Sequence, residues 1–517
     1  MNTARLALDN LERYGEYVST HFEGRSSTNA ENYDYACRLA AVLRERGVRT
    51  GEVVLVMMLN SPAVTAAFIA VWKLGAVIVP VTPMWNAREV RYVLADSGAQ
   101  VVLTSPELAA RLLEASAGLP DFREVLVIGE TEAAGAIDIE ADINAAAPFA
   151  PLVECAADDL AMLLYTSGTT GNPKGVMLSH DNMIFIADAV YANNTHLHGV
   201  VGMQVLPLSH VYGVLMMSVG LRMGTSSTIL KHFDAGKVLQ TIHTQRVQRL
   251  SFVPTMLTML LNHPDVADRD KYDYSSLEQV NSGGAPLSEA VRQEFARLFD
   301  CKVVQGYGLS ETAGALTGYH PDDDYRLGSV GPALPGIEMC VMDFDHRVLP
   351  AGETGELCSR GRHIMRGYLN QPEATREALI DGWLHTGDIG HIDADGYVYI
   401  TDRKKDLIIK GGENISPREI EEGIYAHPAV AEAAVFGVPD EKYGEQVMAA
   451  VVVRSGHTLT ADELLRHVGG YVTKFKVPAR IAFLDTLPKG PSGKILKRAL
   501  KESVVSGQWS VVSGSAD

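Results

Sequence analysis

The sequence predicts an α/β fold: a large N-terminal region of doubly wound α/β subdomains with a small β unit, followed by a small mobile α+β C-terminal domain. Three observations predict it. Short β-branched runs alternate with longer helical patterns, the sequence form of βα units feeding a buried parallel sheet. Several of those runs end directly in Ser, Gly and Thr, where doubly wound sheets bind ligands at the carboxyl ends of their strands. The chain, at 517 residues, is too long for one core when a domain takes roughly 100 to 200 residues.

The N-terminus, "MNTARLALDNLERYGEYV", reads as a mixed amphipathic segment and lacks the basic-then-apolar layout of a secretory signal. The first βα rhythm follows in "EVVLVMML" (52–59), a helix near 61–74, "AVIVPV" (76–81), a helix near 87–97 and "QVVLTS" (100–105). Lys73 and Gly75 interrupt the apolar stretch "SPAVTAAFIAVWKLGAVIVPV", short of the roughly 18 uncharged residues a spanning helix needs. No transmembrane segment is predicted. The Ala-rich interval 132–152 has weak periodicity and reads as a connector. The rhythm resumes in "LAMLLYTS", "MQVLPL", "RLSFVPT" with the apolar helix "MLTMLLNH", "EQVNSGG" and "KVVQGYG".

Past about residue 325, short strands with Gly and Pro turns, as in "GETGELCSRG", indicate a small β unit. At "TDRKKDLIIKGGENISPREIEE" the pattern changes again, and the remaining ~110 residues are sized for a separate domain. We place the division at 1–404 and 405–517. The tail after Lys501 has no strong pattern and is expected to fray.

Hydrophobic residues make up 46% and charged ones 21%, a globular composition without long disorder. With 45 Lys plus Arg against 63 Asp plus Glu, the net charge of -18 argues against a nucleic-acid partner, so any polyanionic ligand must be held locally. Five widely spaced cysteines form no C-x-x-C pair, which indicates neither a disulfide framework nor a zinc site. A reducing, cytoplasmic compartment is expected.

The stretch "YTSGTTGNPKGVMLSH", Tyr165 to His180, has the Gly, Thr and Lys of a phosphate-holding loop but misses the Walker A pattern, because Pro173 precedes Lys174 and Gly175 follows it. Hydroxyls at Thr166, Ser167, Thr169 and Thr170, backbone freed at Gly168 and the ammonium of Lys174 suit a clamp for polyphosphate. A strand before the loop and a helix after it are expected.

"YTSGTTGNPKG" strongly resembles the signature of the adenylate-forming superfamily, in its acyl-CoA synthetase branch. The family's other motifs occur in order: "LPLSHVYG" (206–213), "NSGGAPL" (281–287), "GYGLSET" (306–312), "HTGDIG" (385–390), "DRKKDLIIKGGENISPREIE" (402–421) and "PKGPSGK" (488–494). The resemblance runs from about residue 30 to 500. It implies ATP, Mg²⁺ and coenzyme A, a small-molecule carboxylic acid as substrate, and acyl-AMP as intermediate.

Residue by residue, the resemblance implies that Tyr307 stacks the base, Glu311 holds Mg²⁺ and Ser310 offers its hydroxyl to the α-phosphate. Gly284, Ala285 and Pro286 would border the adenine, and Asp388 with Arg403 would take the ribose. Lys494 would be the catalytic lysine bridging carboxylate and phosphate, a task suited to a compact cation. His210 is implied as a gate at the substrate carboxylate, and Val211, Tyr212, Gly213, Gly283 and Gly308 as the acyl pocket, with glycine at 308 implying an open tunnel. Lys405 matches the hinge; Gly411 and Gly412 match a tunnel for the coenzyme A thiol.

The cluster Lys474, Lys476, Arg480, Lys489, Lys497, Arg498 and Lys501 suits the phosphates of coenzyme A, or is a solvated face. No charged residue in the pocket motifs would pair with an amino acid's ammonium, which favours a fatty, alicyclic or terpenoid acid. Alternatives stay open: transfer to a carrier protein or partner enzyme, an oxidative second step, or a non-catalytic nucleotide-binding interaction protein. A homodimer and an acyl acceptor protein stay open as partners.

Overall fold

A computed structural model describes residues 1–166, 173–194, 197–268, 270–490, 495–505 and 512–513. Among the described residues the strands form four sheets. In the first, Val53–Met57 lies between Val77–Pro80 and Val101–Thr104, all parallel, with Glu124–Val127 and Ala136–Asp138 beyond. In the second, Lys302–Gln305, Gln279–Ser282, Arg249–Phe252, Val201–Gln204, Ser226–Ile229 and Val18–Phe22 run parallel. The central run of the first sheet is buried on two faces, hence the uninterrupted run of Val, Leu and Thr in strands such as Val101–Thr104. The helices bear out the expected rhythm at Pro62–Lys73 and Ala87–Ser97.

The helix Pro62–Lys73 is apolar all round because it is enclosed: Phe68 and Trp72 are fully buried, and the Trp72 indole donates to Ala161 O at 2.9 Å. Lys73, buried with it, donates from Nζ to Tyr33 Oη at 3.0 Å and to Ala150 O at 3.3 Å. A cation so enclosed needs those two oxygens. Among the described residues no helix is long and apolar enough to cross a membrane.

Three expectations need correction. The Ala-rich interval is not a bare connector: Ala136–Asp138 adds an edge strand, and Glu140–Ala145 a short helix anchored by buried Ile139 and Ile143. Three residues and one turn are too short to show a period. The phosphate-loop motif is followed by a strand, Lys174–Ser179, antiparallel to Leu160–Thr166 with Thr166 opposite Lys174; the helix begins only at His180. The alternation in "KGVMLS" is the signal for that strand. The tail does not fray at Lys501: the helix Lys497–Val505 packs Leu500 into the core, and Val512–Ser513 pairs with Arg480–Phe483.

The third sheet is the expected small β unit, its strands Trp383–Ile392 and Tyr397–Arg403 antiparallel. The fourth gathers Ile408–Lys410, Glu413–Ile415, Val430–Asp440, Gly444–Val453 and Arg480–Phe483 around Ile420, Ile424 and Leu464. It touches the larger region through Arg454, 3.2 Å from Glu294, and through the Glu289 amide, which donates to Glu422 at 3.4 Å.

Candidate active site

The second sheet delivers "NSGG" and "GYG" at the ends of neighbouring parallel strands, Gln279–Ser282 and Lys302–Gln305. Between these ends and the helix Val211–Met223 lies a cavity of about 130 Å³. His210 precedes that helix, and its Nδ1 accepts from the Tyr212 amide at 3.2 Å. Val211, Tyr212, Gly283, Gly284, Tyr307, Gly308 and Ser310 line the cavity with it. Burial pushes the Tyr212 hydroxyl up to about 12, and it donates to Asn281 O at 3.2 Å.

Tyr307 is buried, and its hydroxyl donates to Asp388 Oδ2 at 2.6 Å. Burial first, then the Asp388 charge, hold its pKa well above the usual phenol value, so it remains a donor. Asp388 faces Arg403 across the antiparallel pair, with Arg403 Nε 3.0 Å from Oδ1; that carboxylate is the main cause of the guanidinium's raised pKa. The Gly387 amide donates to Glu356 Oε1 at 3.0 Å, fixing the turn before Asp388. Burial alone would raise Glu356, but the His385 hydrogen bond, Lys404 and that amide outweigh it and lower its pKa.

Glu311 follows Ser310 in the single turn Ser310–Thr312, and its Oε1 accepts from Tyr368 Oη at 2.7 Å. Lys174 Nζ lies 4.9 Å over the Tyr368 ring, so the lysine and the glutamate flank one tyrosine. Tyr368 is a contributor that sequence reasoning missed; its signal is the "RGYLN" segment, which forms a strand against Lys174–Ser179. Among the described residues no three His, Cys, Asp or Glu side chains gather as a metal cage. One carboxylate, Glu311, nevertheless fits Mg²⁺, which commonly takes only one or two carboxylates beside substrate phosphates.

Gly213 does not line the cavity: a Cβ there would sit 2.1 Å from Pro207 O, so glycine permits close packing in the first turn of the helix. Gly308 does line the cavity, and its Cβ would sit 2.4 Å from Gly314 O, so glycine there also permits a close approach of backbone. Thr166, Lys174, Ala285, Pro286, Glu311, Asp388 and Arg403 lie outside the cavity lining. Ser167, Gly168, Thr169, Thr170 and Lys494 lie outside the described residues. Reasoning from motifs also missed Asn193, Leu215, Met216 and Ser251 on the lining, because the helix Val211–Met223 is too uniformly apolar to reveal its inward face.

Lys405 is exposed in the turn after Arg403, and Gly411 and Gly412 form the exposed turn between Ile408–Lys410 and Glu413–Ile415, both at positive φ. The basic cluster is largely committed elsewhere: Lys476, Lys489, Lys497 and Lys501 pair with Glu419, Glu432, Glu421 and Glu445 at 2.6 to 2.9 Å, and Arg498 with Glu502 at 2.7 Å.

A family model described as AMP-binding enzyme matches residues 8–369, and one described as AMP-binding enzyme C-terminal domain matches residues 419–494. The chain is 34% identical over 491 residues to the fatty acid–[acyl-carrier-protein] ligase ScoC of Streptomyces coeruleorubidus, covering 93% of this chain and 92% of the relative. It is 36% identical over 476 residues to the long-chain-fatty-acid–CoA ligase FadD13 of Mycobacterium tuberculosis, with 92% of each covered. The crystal structure of ATP-bound MatB from Rhodopseudomonas palustris superposes with a TM-score of 0.88 at 32% identity, covering 97% of this chain and 99% of that one. Together with the order of its motifs and the two matched domains, these similarities make the chain a member of the AMP-binding enzyme family, an acid-activating ligase of the adenylate-forming superfamily.

Proposed function

We propose that this chain couples ATP to activation of a medium- or long-chain, alicyclic or terpenoid acid, and passes the acyl group to the thiol of coenzyme A. The observation that carries the substrate class is the cavity lining: among the described residues it holds no Asp, Glu, Lys or Arg. A second charge on the acyl group would be buried there without a partner, at a cost of several kcal/mol.

In this reading Tyr307 presents its ring to the base, while Asp388, aligned by Tyr307 and Arg403, accepts from the ribose hydroxyls. The substrate carboxylate, turned toward His210 and Ser310, attacks the α-phosphorus of ATP in line. A new O–P bond forms, the bond to the β-phosphate breaks, and pyrophosphate leaves with the electron pair. Bound Mg²⁺ would supply charge neutralisation at the phosphates. Glu311 is oriented for it by Tyr368, and Lys174 adds a cation nearby. Lys494 enters on its motif alone. The thiol sulfur then attacks the acyl carbon, its proton is released, and AMP departs. A turn of the C-terminal domain about Lys405, breaking the Arg454–Glu294 pair and bringing the Gly411–Gly412 turn inward, would separate the two steps.

A second reading, transfer to a carrier-protein pantetheine, is favoured by one observation: the glutamate pairing of the basic cluster leaves few cations free for the phosphates of coenzyme A. Acid-dependent release of pyrophosphate and AMP, followed separately with and without coenzyme A, tests both. AMP turnover that requires coenzyme A supports the first reading. Pyrophosphate release that stalls after one turnover despite coenzyme A supports the second, and cleavage of ATP to ADP sinks both.

A further inference from the structure

The helix Val211–Met223 runs between two cavities. Its residues 211, 212, 215 and 216 line the one described above, and 216, 217, 220 and 221 line another of about 100 Å³, a helical spacing that carries one face past each in turn. Met216 is the residue common to both linings. It also packs against two separate core clusters, so it stands at a seam rather than inside either core.

The second cavity lies beneath the N-terminal segment. Ala7, Thr65, Ile69, Met217, Leu221 and Ile229 contribute apolar surface to it. Its asparagines are occupied by neighbouring groups: Asn29 Nδ2 donates to Asn10 Oδ1 at 3.0 Å, Asn10 Nδ2 to Tyr17 Oη at 3.1 Å, and Asn32 Nδ2 to Ser19 Oγ at 3.1 Å. Among the described residues no Asp, Glu, Lys or Arg lines it. What the space offers is uncharged surface whose asparagines are already paired, with the hydroxyls of Thr65, Thr225 and Ser227 beside them, suited to an uncharged chain.

Methionine is a suitable partition for such a space, having three rotatable bonds and a polarizable thioether. The Met216 sulfur accepts one hydrogen bond, from Ser251 Oγ at 3.1 Å. We infer that Met216 is a movable partition, and that the second cavity receives the distal end of an acyl chain too long for the first. This rests on the acid-activating reading above and deepens it by assigning chain-length selection to a single side chain and a second compartment.

The test compares kcat/KM for acid-dependent pyrophosphate release with hexadecanoic and hexanoic acid, in the wild type and in Met216→Ala, Ile229→Phe and Thr65→Phe. The two phenylalanine variants fill the second compartment at positions that do not touch the first. Each should lower the long-to-short ratio about tenfold or more, since a single methylene of misfit can cost that much, and Met216→Ala should raise the ratio. Thermal unfolding identifies a variant that fails to fold, and the other phenylalanine variant then decides. A ratio within about twofold of wild type in the folded phenylalanine variants, far below the cost of one misfitted methylene, overturns the inference. If wild type releases no pyrophosphate with any acid, the acid-activating reading falls instead. Calorimetric binding of hexadecanoic acid then decides the compartment, weakening in Ile229→Phe if the inference holds and staying unchanged if it does not.

Discussion

Asp388 and Arg403 stand opposite each other on two antiparallel strands, carboxylate Oδ1 to guanidinium Nε 3.0 Å, with the second carboxylate oxygen taken by the Tyr307 hydroxyl. Asp388 is 2% exposed, so both partners compensate a carboxylate removed from water.

Asp388→Ala therefore has two expected effects. It removes the proposed ribose acceptor, raising the KM for ATP by about tenfold or more, and it leaves a buried tyrosine hydroxyl without its acceptor, costing about 1–3 kcal/mol. Pyrophosphate-release kinetics and urea unfolding measure the two separately. Tyr307→Phe, which keeps the ring and loses only the donor, should show a smaller ATP effect of about 1 kcal/mol, or roughly fivefold. An unaltered KM for ATP in Asp388→Ala would remove Asp388 from the nucleotide site.

Tyr368→Phe deletes the hydrogen bond that orients Glu311 and leaves the ring under Lys174. The expected outcome is a fall in kcat of about threefold to tenfold, the equivalent of one ordinary hydrogen bond, with a raised Mg²⁺ requirement. Titrating Mg²⁺ in both proteins separates this from a folding defect, which would lower active enzyme without moving the Mg²⁺ midpoint.

Gly308→Ala distinguishes an open tunnel from a crowded backbone. Its Cβ would lie 2.4 Å from Gly314 O and 2.5 Å from Ala315 Cα. Overpacking of this kind costs about 1–3 kcal/mol, so melting temperature should fall and activity with short and long acids should drop together. Loss confined to long acids, at unchanged melting temperature, would return Gly308 to a tunnel role.

Two buried histidines make stability pH-dependent. Burial lowers His180 and His363 to about 4, so both are neutral when folded and take up protons on unfolding. Stability from this source is complete above their ordinary value of about 6.5 and is lost as pH falls from there toward 4. Each contributes a slope approaching about 1.4 kcal/mol per pH unit inside that window. Urea unfolding at neutral pH and near pH 5 should show the loss, and a double His180→Gln, His363→Gln variant should show a flatter profile.

The βα rhythm was legible because buried parallel strands read as near-continuous apolar runs rich in Val, Ile and Leu, as in "VVLT" at Val101–Thr104. Asp388, Arg403 and Tyr307 were nameable from motifs, but their mutual hydrogen bonds depend on a strand pairing that no local pattern encodes. Tyr368 was hard to single out because the tyrosine in "RGYLN" gains its meaning from Lys174 and Glu311, both distant in sequence. Gly213 misled because a glycine's motif position does not say whether the space beside it holds ligand or backbone. The strand after the phosphate-loop motif was mistaken for a helix start because the helix does follow, six residues later than the loop's end suggests.

The lysine and arginine partners of Glu419, Glu421, Glu432, Glu445 and Glu502 all lie in the same C-terminal unit as those glutamates. Such a unit is nearly silent electrically beyond its own surface, since paired opposite charges leave only short-range fields that dissolved ions screen within about 10 Å. Ionic strength would then act on the proposed turn of that unit mainly through the Arg454–Glu294 pair, and adding salt should alter the two half-reactions to a small extent.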